Sequence, residues 1–207
     1  MKTIVCFGDS NTWGYNPAGG ARYSMEERWG SLLREELGSE YFVIEEGLCG
    51  RTTVFNDPIG EHRSGKEYII PCIESHSPVY LVIILLGTND LKKRFSLTAG
   101  DIANGAGILV KMIQSSNAGP NWKAPKVLLI APPPIKEVGV FAEAFEGGEE
   151  KSHKLSERFE SVSKLLGCEF LDAAKNITSS DIDGIHLEVS EHKRLAAAVA
   201  KKVRELL

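Results

Sequence analysis

Residues 3–14 read TIVCFGDSNTWG. The run Ile4, Val5, Cys6, Phe7 is continuously apolar rather than alternating, the pattern of a strand covered on both faces, and Gly8-Asp9-Ser10 comes next with the residue types of a turn. Ser10 therefore stands at the C-terminal end of a buried strand. In open parallel α/β sheets, ligands bind at that edge. Asp and Ser are also favoured turn and N-cap residues, so this stretch alone leaves open whether the hydroxyl caps or reacts.

Working outward, four further segments carry the same buried-strand pattern: Phe42 to Glu45, Tyr80 to Gly87 (YLVIILLG), Lys126 to Pro132 (KVLLIAP) and Cys168 to Ala173 (CEFLDA). Helical periodicity lies between them. Trp29, Leu32, Leu33 and Leu37 share one face before Gly38 stops the pattern. Ile102, Ile108, Leu109, Met112 and Ile113 define a helix from Asp101, with Gly105 and Gly107 implying close packing. A longer pattern, interrupted or not, covers Glu149 to Leu166, and an amphipathic helix capped by Ser190 closes the chain. Alternating strands and helices predict an α/β fold, a parallel sheet with helices on both faces. With no linker, repeat or low-complexity segment, residues 1–207 are read as one domain. Two loops are long: Tyr15 to Glu27, and PPPIKEVGVFAEAFEGGEE from Pro132, which is either a substrate-side flap or an association surface.

Composition narrows the function. A chain of 207 residues buries on the order of 70 % of its unfolded surface, enough for a substantial core. With 43 % hydrophobic and 25 % charged residues it has the make-up of a soluble globular protein. A formal net charge of -4, and no Lys/Arg cluster interleaved with aromatics, argue against a nucleic-acid partner. Cys6, Cys49, Cys72 and Cys168 are scattered without a Cys-x-x-Cys pair, which predicts free thiols in a reducing compartment and gives a zinc site no support. The N-terminus enters the first strand at once and no apolar run approaches ~20 residues, so the expectation is a cytoplasmic protein without a membrane partner.

The segments just beyond the strands are more specific. Gly8-Asp9-Ser10, EEGLCGRTT (45–53), GTND (87–90) and DIDGIHL (181–187) would all meet at one sheet edge. Nucleophilic hydrolysis needs a hydroxyl, a base oriented by a carboxylate, and donors aimed at a developing oxyanion. Ser10 supplies the hydroxyl, His186 the base and Asp183 the orienting carboxylate, with Gly184 allowing the tight path between the last two; Asp181 competes with Asp183 on spacing. Oxyanion donors are the backbone N–H groups of Ser10 and Gly50 and the Asn89 amide, which donates without titrating. Asp9 reads as structural, a holder of loop N–H groups. Trp13, Tyr15, Phe141 and Phe145, with Ile185, are candidates for an acyl or alcohol pocket, although loop aromatics pack as readily against neighbouring subunits. Taken singly, His62, His76, His153 and His192 are surface or core residues, and Asn89-Asp90 is a turn.

Taken together, FGDSNTWG, GLCGRTT, GTND and DGIHL, in this order along the whole chain, resemble the four blocks of the SGNH, or GDSL-type, serine hydrolases. The resemblance implies a flavodoxin-like three-layer α/β/α sandwich with strand order 2-1-3-4-5, and metal-free, cofactor-free hydrolysis of ester or thioester bonds. TWG after the serine, IEEGLCGRTT and FEGGE look closest to the cytoplasmic arylesterase and acyltransferase branch, whose members often form homo-oligomers with neighbouring loops at the entrance. Asn11 departs from the pattern, because the family commonly has an aliphatic residue after the serine. The serine lies outside any Gly-x-Ser-x-Gly, so the elbow of the α/β-hydrolases is not present.

The expected activity is that of a serine esterase on small acyl esters, acetyl above all, with water or an alcohol as acceptor. Deacetylation of a carbohydrate and thioester hydrolysis use the same triad. Two rivals differ in kind: a metal-dependent phosphoesterase ligating through Asp9, Asn89, Asp183 and His186, and a non-catalytic binding protein on the same sheet.

Overall fold

A computed structural model describes residues 1–207. Strand β1 (Lys2–Gly8) runs directly into a single helical turn, α1 (Ser10–Trp13); α2 (Trp29–Leu37) and β2 (Tyr41–Gly47) follow. Next come α3 (Gly65–Ser75), β3 (Val79–Leu85), α4 (Ala99–Gln114) and β4 (Lys126–Ala131). The chain finishes with α5 (Gly148–Ser152), α6 (Leu155–Leu166), β5 (Glu169–Asp172) and α7 (Val189–Leu206). The strands form one parallel sheet in the order β2-β1-β3-β4-β5, with Val5 opposite both Ile44 and Val82. This is the three-layer order that the family resemblance implies.

The continuous apolar runs are explained by burial on both faces. Val5, Phe7, Val82 and Ile84 pack with Ile69, Ile102, Leu109 and Phe159 of α3, α4 and α6, whereas Ile4, Cys6, Leu81 and Ile83 pack with Trp29, Leu33, Leu195 and Val199 of α2 and α7. The central strands β1, β3 and β4 thus feed both layers by period-two alternation, whereas the edge strand β2 packs Val43 on the α2/α7 side only. All four cysteines are free thiols, and no helix is long and apolar enough to cross a membrane.

The elements differ from the sequence reading in instructive places. Helix α3 is absent from that reading, because Pro71 inside GKEYIIPCIES reads as a breaker; the apolar face of Ile69, Cys72 and Ile73 holds the helix against the sheet regardless. The Glu149–Leu166 pattern is interrupted, giving α5 and α6. Ser190 does not cap α7: Glu188 is the N-cap residue, extended at φ -79°, ψ 164°, and the Ser190 hydroxyl turns to the Glu191 carboxylate at 3.2 Å. The helix read from Asp101 begins earlier, at Ala99, with Thr98 as its N-cap in a reciprocal capping box with Asp101.

Candidate active site

The sheet's C-terminal edge carries the polar clusters. Ser10 is the first residue of α1, so its N–H has no partner within that helix, and Asp9 caps the turn by accepting the Asn11 N–H at 2.9 Å. At the far end of the chain, Asp183 Oδ1 accepts the N–H groups of Ile185 and His186, both at 3.0 Å, closing a tight loop before α7. Gly184 makes the loop possible: its φ is +77°, and a Cβ there would lie 1.9 Å from the Lys136 carbonyl oxygen.

These two pieces meet. The His186 Nδ1–H donates to Asp183 Oδ2 at 2.6 Å, which leaves Nε2 as the acceptor for the Ser10 hydroxyl at 2.9 Å. All three residues are buried. Burial pushes the Asp183 carboxyl up, but hydrogen bonds from the His186 side chain and the His186 and Ile185 N–H groups outweigh it and hold the group below its ordinary value. The Tyr15 ring stacks on His186 with centroids 4.0 Å apart, and Phe141 meets it edge-on at 5.6 Å, so the imidazole is fixed from its faces as well as its nitrogens. The rival carboxylate, Asp181, points away and pairs with Lys136 Nζ at 2.6 Å.

Ser10 and His186 open onto a cavity of about 240 Å³. Gly50 and Asn89 line it, as do Tyr15, Phe141, Phe145 and Ile185. Trp13 does not: it lies behind Tyr15, ring centroids 6.5 Å apart, under the Arg22 guanidinium. Cys49 and Lys92 complete the wall, and neither stood out in the sequence, where a cysteine and a lysine beside loop glycines carry no periodic signal. Gly50 sits at φ +82° and its N–H meets no protein acceptor. One Asn89 Nδ2–H donates to the Arg51 carbonyl at 3.1 Å, leaving the second free. A larger hollow of about 590 Å³ beside Leu32, Glu35 and Lys193 contains no hydroxyl or thiol nucleophile.

Arg51 is the other residue the sequence did not reveal. Almost fully buried, it donates from Nη1 to the Gly8 carbonyl at 2.9 Å and to the Glu46 carbonyl, and its guanidinium lies 4.1 Å from the Phe7 ring centroid. Beside it, Asp90 accepts from the Thr53 hydroxyl at 2.5 Å and the Thr53 N–H at 3.0 Å. Burial pushes Asp90 up to about 6, and Asp9 likewise up to about 6. Asn11, the departure from the family pattern, faces away from the cavity. Its amide accepts from the Leu187 N–H at 3.1 Å and donates to the Ile185 carbonyl at 3.3 Å.

Of the carboxylates that a metal reading requires, Asp183 is fully committed, whereas Asp9 Oδ2 is buried without a partner. Both Asp183 oxygens are taken by the His186 loop, and Asp9 Oδ1 by Asn11. A separate trio, Glu46, Cys72 and His76, has ligand atoms within 4.8 Å of one another and lies outside the cavity; burial pushes the Cys72 thiol up to about 12.

A hydroxyl, an imidazole and a carboxylate in one hydrogen-bonded series, at the C-terminal edge of a parallel α/β/α sheet, define the class of serine hydrolases. The family emerges from comparison. Residues 6–194 match the model of the GDSL-like lipase/acylhydrolase family, and the chain belongs to it. The native aryl esterase of M. smegmatis is 40 % identical over 100 % of both chains, with a TM-score of 0.95. Est24, a carbohydrate acetylesterase from Sinorhizobium meliloti, is also 40 % identical over 100 % of both, TM-score 0.95. A lipase/acylhydrolase from Enterococcus faecalis shares the fold at 20 % identity and a TM-score of 0.72, over 99 % of this chain and 96 % of its own. No curated protein sequence matches.

Proposed function

We propose that the chain hydrolyses small acyl esters without a metal, through an acyl-enzyme on Ser10. The observation that carries this reading is the series Ser10 Oγ–His186 Nε2 at 2.9 Å and His186 Nδ1–Asp183 at 2.6 Å, opening on a cavity of about 240 Å³. Ser10 attacks the ester carbonyl while His186 takes its proton, and Asp183 holds the imidazole in the tautomer that accepts and stabilises the imidazolium. The free N–H groups of Ser10, Gly50 and Asn89 receive the oxyanion; one such donor contributes about 10²–10³-fold in turnover. His186 then returns the proton to the leaving alkoxide, and water or an alcohol repeats the sequence in reverse to release the acid or a new ester.

The small cavity suits acetyl and other short acyl groups. Its aromatic wall of Tyr15, Phe141 and Phe145 suits an aryl or sugar alcohol alike, and solved relatives include both an aryl esterase and a carbohydrate acetylesterase. The test is p-nitrophenyl acetate hydrolysis in EDTA by wild type, Ser10→Ala and His186→Ala, each checked for folding. Both variants are expected to lose roughly 10⁴-fold or more in kcat, because the members act as a unit. Undiminished activity in folded Ser10→Ala would refute the mechanism.

A further inference from the structure

We propose that Lys92 forms an anion subsite inside the active cavity, so that the preferred substrates are small esters carrying a carboxylate on the acyl or the alcohol half. This rests on the serine-esterase reading above and deepens it.

The chain delivers Lys92 to the cavity wall by a short route. Asn89–Leu91 form one 3-10 turn, and the residue that ends it is Lys92, which borders the same cavity as Ser10, Asn89 and His186. The side chain is only 14 % exposed. Its Nζ lies 5.9 Å from the Phe145 ring centroid, in a wall that is otherwise largely aromatic. An ammonium gives up much of its hydration in such a place, and burial correspondingly loosens its hold on the proton.

The fields of Asp57, Asp9 and Asp90 offset part of that loss, but no protein group replaces the lost hydrogen bonds. The nearest carboxylate, Asp57 Oδ2, is 4.0 Å from Nζ, beyond hydrogen-bond range. Asp57 is already engaged, by Arg94 Nη2 at 2.9 Å on the same oxygen and by the Ile59 N–H at 2.9 Å on the other. Of the remaining acidic neighbours, Asp90 is bound to Thr53, and the buried Asp9 accepts from Asn11 on Oδ1 and leaves Oδ2 without a partner. Asp57 is shared between Lys92 and Arg94, and Asp9 and Asp90, whose charges also reach Lys92, lie outside the cavity lining, so Lys92 is the one cationic side chain on the cavity wall. Lys92 therefore borders the space in which the ester must sit, with an ammonium that makes no hydrogen bond to the protein. A short acyl chain bound for its apolar surface alone is poorly served by a cation there, whereas a carboxylate a few atoms from the scissile bond gains charge-assisted hydrogen bonds in a partly dehydrated site.

The test uses the full-length protein, Lys92→Met and Lys92→Arg on two pairs of esters matched in shape. The acyl arm compares monoethyl succinate with ethyl 4-methylpentanoate; the alcohol arm compares 4-acetoxybenzoate with 4-isopropylphenyl acetate. In at least one arm, Lys92→Met is expected to lower kcat/KM for the charged ester about 10–100-fold more than for its neutral partner. Lys92→Arg, which keeps the charge, is expected to retain the discrimination and so separates loss of charge from loss of fold. The arm that responds identifies the half of the ester that carries the anion. Equal effects on charged and neutral esters in both arms would overturn the proposal, as would a wild type that hydrolyses the neutral esters and neither charged one. Wild-type inactivity on all four would remove the serine-esterase reading, and this subsite with it.

Discussion

Asn11→Leu is the most informative single change, because leucine is close to asparagine in shape and is of the residue type the family commonly places after the serine. Asn11 is buried, and its amide clamps the His186 segment from both sides, at the Ile185 carbonyl and the Leu187 N–H. Leucine leaves both backbone groups unpartnered. Each orphaned group costs about 1–3 kcal/mol, and the added apolar burial offsets about 1–2 kcal/mol of the sum. The ranges leave a net cost of about 0–5 kcal/mol centred near 2.5, which at the centre is roughly 5–10 °C in Tm for a chain of this size. Because Asn11 touches the base-bearing loop and not the cavity, the kinetic loss should fall on kcat: a His186 displaced by a fraction of an ångström costs roughly 10–100-fold. Calorimetry together with kcat and KM on p-nitrophenyl acetate checks both numbers. An unchanged Tm and kcat with an altered KM would place the amide in the substrate pocket and refute the reasoning.

Other perturbations test separate parts of the structure. Asp9, held at about 6 by burial, has a folded-state pKa above its unfolded value of about 3.9, so its ionisation opposes folding. That penalty is absent below pH ~4 and complete above pH ~6, and wild type should lose roughly 2–3 kcal/mol relative to Asp9→Asn across that window. Urea unfolding at pH 4 and pH 7.5 measures it, and a stability difference independent of pH would contradict the assignment. Gly184→Ala drives a Cβ into the Lys136 carbonyl oxygen at φ +77°, and should cost more than about 3 kcal/mol in denaturant unfolding and uncouple His186 from Ser10. Phe145→Ala, at a residue shared by the cavity and the core, should cost about 3–5 kcal/mol while raising activity on p-nitrophenyl hexanoate relative to acetate; an unchanged ratio would show that Phe145 does not limit the acyl chain.

What the sequence disclosed and what it hid divide along a physical line. The strands were legible because a doubly covered strand must be apolar at every position, and Ile4 to Phe7 or Leu81 to Leu85 admit no other reading. Ser10, Asp183 and His186 were legible because short segments carry them and tight loops present them, so local spacing holds much of the geometry. Lys92, Cys49 and Arg51 were not. Their importance comes from what folding brings beside them, and a lysine in TNDLKKRF has the look of any solvated charge until the cavity is built around it. Trp13 failed for the converse reason: proximity to Ser10 in sequence put it near the cavity, while the helical turn of α1 directed it behind Tyr15. Helix α3 failed because Pro71 masks a packing that tertiary contacts enforce.

The same distinction bears on what connects the proposed oxyanion donors to the proposed nucleophile. Ser10, Gly50 and Asn89 come from the ends of three different strands, and nothing local relates them. Arg51 does. Its guanidinium binds the last carbonyl of β1 and a carbonyl near the end of β2, while its own carbonyl anchors the Asn89 amide beyond β3. Nη1 serves both carbonyls while the planar guanidinium lies over Phe7, a stacking that a lysine ammonium cannot reproduce. Asp90 performs the complementary task, bonding Thr53 and so tying the Gly50 loop to the Asn89 turn. Both groups are charged or chargeable and buried, an arrangement that opposes stability and stands here behind the three proposed oxyanion donors. Preorganised donors stabilise a developing charge without rearranging as it forms, so the rigidity that Arg51 and Asp90 impose behind the cavity serves catalysis in the same way as the donors that face it.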